Sequence, residues 1–305
     1  MGLISKTDLL QLNKFCAVAI GFFDGVHLGH QAVIKNAVNY ANKHNILSVV
    51  ITFDRSPKVV LGYAEDDGQI TPLTEKINIL KSMGVDYILA PAFDETFLNL
   101  SANAFVENYL IEIRAKYVAV GFDFRFGFRG SGDASQLVEN YPFQAHIIHQ
   151  VTVDQVKIST TMIKQLIKDG DFEPIYHMLN RNFAISGIVV PGRQLGKKIG
   201  FATANLELSE NFILPKPGVY ATITQVGKRI YKSMTNIGVN PTVTNINKMT
   251  IETHIFEFNE DIYGDNLHIE FVDRIRDETK FDNLETLVNQ LKMDKLNAKK
   301  LVIFE

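Results

Sequence analysis

The chain has 305 residues, 46% hydrophobic and 21% charged, a length that exceeds one ordinary hydrophobic core and suits two domains. Its 31 Lys and Arg against 34 Asp and Glu give a formal net charge of −3, so it carries no electrostatic footprint for a nucleic-acid duplex or an anionic membrane. A single cysteine, Cys16, excludes an intramolecular disulfide; with no membrane-length apolar run, and no apolar centre in MGLISKTDLLQLNK, a cytoplasmic protein is expected.

From Ala17 to about Leu179, strand-like and helix-like segments alternate. CAVAIGFF reads as a strand, GHQAVIKNAVNYANKHN as an amphipathic helix and ILSVVITF as a strand. LTEKINILKSMG follows as a helix, VDYILAPAF as a strand, SANAFVENYLIEIRAK as a helix and YVAVGFDF as a strand. This alternation predicts βαβ units, and the apolar strands predict a parallel sheet covered on both faces. TTMIKQLIKDGDFEPIYHMLNRNF then reads as helical.

From Ala184 to Phe271 the texture changes to short strands broken by Gly, Pro and Asn: AISGIVVPG, GVYATITQVG, RIYKSMTNIG, MTIETHIFEF and NLHIEFVDRI. Strands at this spacing predict a small antiparallel barrel or sandwich. The end, NLETLVNQLKMDKLNAKKLVIF, predicts a helix with Asn283 as its N-cap. The boundary is expected near Asn180 to Ala184, giving domains of 1–182 and 183–305.

One stretch carries chemistry. In GFFDGVHLGHQ, an apolar strand breaks into glycines and two histidines before a helix begins. Ligands of open α/β sheets bind at such strand ends, and the new helix offers unpaired N–H groups and partial positive charge to phosphate. Gly21, Gly25 and Gly29 permit close backbone approach. His27 and His30 can donate to phosphate oxygens as charge develops in group transfer. Two other readings stand beside this one: a metal pair, for which no further ligands lie nearby, and a simple cap on a surface turn.

GFFDGVHLGHQ resembles the HxGH signature of nucleotidylyltransferases. More narrowly, residues from about Ala17 to Leu301 resemble the bacterial bifunctional riboflavin kinase/FMN adenylyltransferases, or FAD synthetases. The resemblance runs through KSMGVDYILAPAFDETF, VGFDFRFGFRGSGD, GFATANLEL, PKPGVYA, TNIGVNPTV, IETHIFEF and DIYGDNLHIEFVDRIRDETKF, in that order. It implies a Rossmann-like nucleotidylyltransferase domain with a parallel sheet, followed by a small antiparallel Greek-key β-barrel with a C-terminal helix. The first would transfer AMP from ATP to FMN, and the second would phosphorylate riboflavin with ATP and Mg²⁺.

Carried over by position, His27 and His30 would stabilise the triphosphate and Gly29 would admit the nucleotide. Asp123, Phe124 and Phe126 would lie in the flavin-binding part. This chain departs from the family there: Phe22 replaces an asparagine, TFDRSPK lacks the usual Pro-His-Pro, and ISTTMIK replaces ISSTRIR. Met162 and Lys164 therefore stand for two arginines, and neither offers the planar fork that grips phosphate. Thr160 and Thr161 keep their hydroxyls. These changes predict weak or absent adenylylation.

The second half keeps more of the pattern. Gly192, Gly196 and Gly200 suit a loop over phosphates. Thr203 and Asn205 match the family's Mg-nucleotide ligands, with Ala202 in place of a proline. Oxygen donors of this kind suit Mg²⁺, which shares phosphate oxygens. Glu252 takes the general-base position, and Arg276 would stack on the flavin or hydrogen-bond to it. His254 is left as a strand residue, Cys16 as structural. A flavin-sensing regulator on the same scaffold is the alternative, with riboflavin, FMN and ATP as ligands in either case.

Overall fold

Uninterrupted small and β-branched residues set the strands of the first half. The computed structural model describes residues 2–62, 65–192, 196, 199–241 and 247–303. The chain divides into two units, residues 1–160 and 161–305. The first opens with β1 (Gly2–Leu3), α1 (Lys6–Gln11), β2 (Cys16–Ile20), α2 (Leu28–His44) and β3 (Leu47–Ile51). It continues with α3 (Pro57–Val60), α4 (Leu73–Ser82), β4 (Tyr87–Leu89), α5 (Glu95–Leu98), α6 (Ala102–Val106) and β5 (Ala115–Gly121). Then come β6 (Arg125–Phe126), β7 (Gly132–Asp133), α7 (Ala134–Glu139), β8 (Gln144–Ile148), β9 (Thr152–Val153) and β10 (Val156–Lys157).

Six of these strands pair in parallel in the order β1-β4-β3-β2-β5-β8. Successive residues of β2 face opposite sides, and both sides are covered. Val18 and Ile20 pack with Leu110 and Val118, whereas Ala17 and Ala19 pack with Val33, Ile34 and Ala37 of α2. The doubly covered parallel sheet is the one the alternating texture predicts. From β2 the chain steps outward through β3 and β4, then β5 returns to the other flank of β2. The crevice beyond the carboxyl ends of β2 and β5 is thus the topological switch point.

Some elements differ from expectation. The strand in VDYILAPAF is limited to β4, and the helix in SANAFVENYLIEIRAK passes into a π-helical turn at Glu107–Ile111. β8 is a half-buried edge strand, so its alternation is too weak to read. Cys16 is buried, and its thiol donates to the Ile113 carbonyl at 3.3 Å. Burial pushes that thiol up to about 12, which suits a structural role.

The helical stretch after the sheet is two helices, α8 (Thr160–Asp169) and α9 (Glu173–Leu179). They part at Gly170, where φ is +72° and a Cβ would meet Arg274 Cδ at 2.9 Å. Phe172, between them, packs against Phe183, Tyr220 and Phe271.

The barrel strands are β11 (Phe183–Val190), β12 (Ala204–Leu208), β13 (Gly218–Val226), β14 (Arg229–Pro241), β15 (Asn247–Ile255) and β16 (Asn266–Arg276). They close in the order β11-β12-β15-β14-β13-β16, with every pairing antiparallel. β16 returns beside β13, ahead of β14 and β15, which is Greek-key order. β12 escapes the sequence reading because FATANLEL looks like a loop. Its pairing with β15 rests on only Ala204 and Asn205.

Alternation gives the barrel strands two kinds of face. One carries Thr222, Thr224, Ser233, Thr235 and Thr253, all fully buried or nearly so and linked hydroxyl to hydroxyl at 2.7–2.9 Å. Buried polar groups are retained when they are paired in this way. The other packs Ala221, Met234 and Phe256 against Ala298 of the C-terminal helix, Leu284–Leu301. Asn283 caps that helix as expected, its side-chain oxygen accepting from the Thr286 N–H at 2.9 Å. Among the described residues, no helix is long and apolar enough to cross a membrane.

Candidate active sites

The turn from β2 into α2 is wound against its own preferences. Phe23, Gly25 and Val26 have φ of +53°, +83° and +40°. Left-handed backbone at a β-branched residue costs about 1–3 kcal/mol and persists only where surrounding bonds impose it. Those bonds are present. Asp24, 1% exposed, accepts from the Thr71 N–H at 3.0 Å, and the Thr71 hydroxyl accepts from the Gly25 N–H at 2.6 Å.

Lys76 of α4 is fully buried beneath the turn. It donates to the carbonyls of Phe22 at 2.7 Å and Phe53 at 3.2 Å, and to the Thr52 hydroxyl at 3.4 Å. The Phe22 ring lies 4.3 Å from its ammonium. Gly21 makes room for Phe23, whose ring would lie 2.6 Å from a Cβ there. The Thr160 hydroxyl donates to the Asp24 carbonyl at 3.2 Å.

His27 caps α2, its Nδ1 accepting from the His30 N–H at 3.3 Å. The proton of the neutral ring therefore sits on Nε2, leaving a donor. The His27 and His30 rings stack with centroids 3.6 Å apart, and a Cβ at Gly29 would crowd the His27 ring at 3.1 Å. His30 Nδ1 is buried with no hydrogen-bond partner among the described residues. Burial above all, then His27 and Lys76, holds His30 well below its ordinary value of 6.5. Two stacked imidazoles thus stand at the open N–H groups of a 17-residue helix.

At the end of β5, Phe124 and Phe126 stack at 5.7 Å. They line a cavity of about 490 Å³ together with Phe53, Phe93, Phe97 and Arg125. Asp123 is exposed and lies outside that lining. Thr161, exposed, and Lys164, half-buried, occupy the first turns of α8.

In the barrel, β15 divides its side chains between two cavities. Glu252 and His254 line one of about 280 Å³, while Thr253 and Ile255 line another of about 340 Å³. Thr203, just before β12, lines both. Its hydroxyl donates to Glu252 at 3.4 Å. Register places Asn205 opposite Glu252, and its amide lies against Gly192, where a Cβ would sit 2.0 Å from Nδ2. Gly196 is pressed onto the Phe201 carbonyl, and Gly200 has φ +79° in open space. The remaining loop residues Arg193, Gln194, Leu195, Lys197 and Lys198, and Thr242 and Val243 of TNIGVNPTV, lie outside the described residues.

Arg276 lines the Glu252 cavity with its guanidinium forked onto Asp294 at 3.1 and 2.8 Å and 5.6 Å from the Phe281 ring. Asp294 is fully buried in the C-terminal helix. Among the described residues, no three or more His, Cys, Asp or Glu are grouped to hold a metal. The oxygen donors of Thr203 and Asn205 suit a hard cation that shares phosphate oxygens and keeps water.

The sequence profile of the FAD synthetase family matches residues 10–162, and that of riboflavin kinase matches residues 179–302. A bifunctional riboflavin kinase/FMN adenylyltransferase of Listeria monocytogenes is 36% identical over 299 residues, covering 97% of this chain and 95% of its own. The chain belongs to this bifunctional family. Members from Bacillus subtilis and Escherichia coli K12 are 36% and 35% identical, covering 92% and 93% of this chain and 90% and 92% of their own. A solved Streptococcus pneumoniae structure, described as a macrolide-efflux protein, superimposes with a TM-score of 0.88 at 33% identity, covering 98% of this chain and 99% of its own.

Within the bifunctional family's frame, Thr203, Glu252 and Arg276 come together around one cavity, and His27, Gly29 and His30 around one helix terminus. Lys76, Phe53, Phe93 and Asp294 were not read from the sequence, and His254 was read only as a strand residue. Lys76 had a visible signal, since it stands four residues before Leu80 on the apolar face of an amphipathic helix. Phe22 supplies its carbonyl and ring to that lysine.

Proposed function

We propose that the two halves carry successive steps of flavin cofactor biosynthesis. Residues 183–305 phosphorylate riboflavin to FMN, and residues 1–182 adenylylate FMN to FAD, with ATP as co-substrate of both. The observation that carries the kinase reading is the convergence of Thr203, Glu252 and Arg276 on one cavity, with a second cavity sharing Thr203 as its wall. Riboflavin occupies the more apolar cavity beneath the C-terminal helix, and ATP the adjoining one.

Glu252 accepts the proton of the ribityl 5′-hydroxyl as that oxygen attacks the γ-phosphorus of ATP. The bond from the γ-phosphorus to the β–γ bridging oxygen breaks and ADP leaves. Thr203 and Asn205 are the residues that would hold Mg²⁺, which when bound offsets charge on the phosphates. Gly192, Gly196 and Gly200 give the nucleotide phosphates room for close backbone approach. Arg276, fixed by Asp294, flanks the flavin.

In the first half, the His27 Nε2–H and His30 stabilise the triphosphate at the start of α2, while a phosphate oxygen of FMN attacks the α-phosphorus and pyrophosphate departs. Gly21 and Gly29 keep that approach open. Phe124 and Phe126 line the aromatic cavity against which the flavin packs, with Asp123 at its approach, and Thr160 contributes a phosphate contact. Met162 and Lys164 lack the guanidinium fork, so adenylylation is the slower of the two steps. A cytoplasmic location fits chemistry that consumes ATP. The gathering of catalytic groups around the barrel cavities favours catalysis over the sensor alternative.

The test is to incubate the purified protein with ATP and Mg²⁺ plus either riboflavin or FMN and to separate the flavins. FMN is expected to form faster than FAD. No FMN from riboflavin would overturn the kinase reading, and FAD formed as fast as FMN would overturn the assigned weakness.

A further inference from the structure

We infer that His254 is a specificity-determining residue of the kinase site, its Nε2 accepting a hydrogen bond from a hydroxyl of the ribityl chain while Nδ1–H fixes the segment that carries Thr203. The inference rests on the reading of the Glu252 cavity as the riboflavin cavity.

Three observations carry it. His254 Nδ1 lies 2.7 Å from the Ala202 carbonyl. A carbonyl only accepts, so Nδ1 holds the proton, and Nε2 of the neutral ring is left as an acceptor. That Nε2 is buried and has no hydrogen-bond partner among the described residues, although the ring is only 8% exposed and lines the cavity. A buried acceptor without a donor is costly, so a partner from the ligand would relieve it. Burial also lowers the affinity of this ring for a second proton, with the nearby Lys295 acting in the same direction.

Position selects which donor. Glu252 and His254 are two residues apart on one face of β15, roughly 6.6 Å along the strand. Glu252 meets the Thr203 hydroxyl and His254 meets the Ala202 carbonyl, so the two contact adjacent residues of one segment. A ligand whose reacting hydroxyl sits at Glu252 presents its neighbouring chain hydroxyls, rather than its distant ring system, to His254. The flanking rings of Phe201 and Phe256, 5.2 and 5.5 Å away, offer the imidazole no competing donor.

The test separates the two ring nitrogens. In His254→Asn the amide NH₂ takes the place of Nδ1–H and nothing takes the place of Nε2. Riboflavin phosphorylation by the full chain is measured alongside inhibition by lumiflavin, which has the same ring system without the hydroxylated chain. The expected result is a riboflavin KM raised about tenfold, the order of one lost hydrogen bond, with lumiflavin inhibition and the ATP KM unchanged. An unchanged riboflavin KM, or equal weakening of riboflavin and lumiflavin, overturns the inference. If the variant does not fold, ¹⁵N-histidine NMR of the wild-type chain decides: riboflavin but not lumiflavin is expected to shift the Nε2 resonance, and no difference between them overturns the inference. A wild-type chain that does not phosphorylate riboflavin would bring down the cavity reading itself, an outcome distinct from an active kinase indifferent to His254.

Discussion

The two candidate sites are built from different materials. At the switch point of the parallel sheet, backbone does most of the positioning: three left-handed residues, a helix terminus and carbonyls tied down by Lys76. In the barrel, side chains on one strand face do it, with Glu252 and His254 aimed by the two-residue period of β15. A site made of backbone tolerates side-chain exchange provided the carbonyl stays where it is, as the Phe22 carbonyl does under Lys76. A site made of strand side chains depends on each one directly.

Substitutions can break or sharpen that contrast. The largest expected effect is Glu252→Gln, which removes the proposed base from a strand that needs no carboxylate to pair. FMN formation should fall on the order of 10²–10⁴-fold while FAD formation from supplied FMN is unchanged, both read by flavin chromatography. Next, His27→Asn should lower FAD formation on the order of 10²-fold and leave FMN formation unchanged. If either change depressed both reactions equally, the two sites would not be independent.

A smaller effect is expected from Lys76→Met. The variant leaves the Phe22 and Phe53 carbonyls without their ammonium donor, which should destabilise the first half by about 1–3 kcal/mol with the riboflavin KM unaffected, as thermal or urea unfolding can show. The smallest concerns pH. His30 is held below 6.5 in the fold, so its favourable contribution is complete above that value. It declines as pH falls below 6.5, because the unfolded chain then takes a proton that the folded chain resists. The melting midpoint should fall on acidification toward about pH 5, and His30→Asn should flatten part of that slope.

Much of this architecture was legible because periodicity reports burial. β2 and β3 are buried along most of their lengths and read as apolar runs, whereas β12 pairs only briefly with β15 and reads as a loop. The paired histidines, Thr203 and Glu252 could be put forward as candidates because they stand in stretches that resemble family motifs. Lys76 and Asp294 stand in no such motif; Lys76 is betrayed only by its place on the apolar face of its helix, and Asp294 looks like a solvated charge until its partner is known. Asp294 meets Arg276 from 18 positions away, and Lys76 reaches Phe22 across 54. The aromatic cavity was half visible: Phe124 and Phe126 stand two residues apart in one motif, but Phe53 and Phe93 arrive from separate loops.

The chain of hydroxyls inside the barrel has a direction. Ser233 gives its only proton to the Thr222 carbonyl at 3.0 Å, so it can only accept from Thr222 and Thr224. Thr222 has then used its own proton, which obliges Thr235 to donate to it and Thr253 to donate to Thr235. One main-chain oxygen thereby orients five rotors. The last of them, Thr253, borders the cavity assigned to ATP with nothing left to give. Whatever reaches that oxygen must bring its own hydrogen.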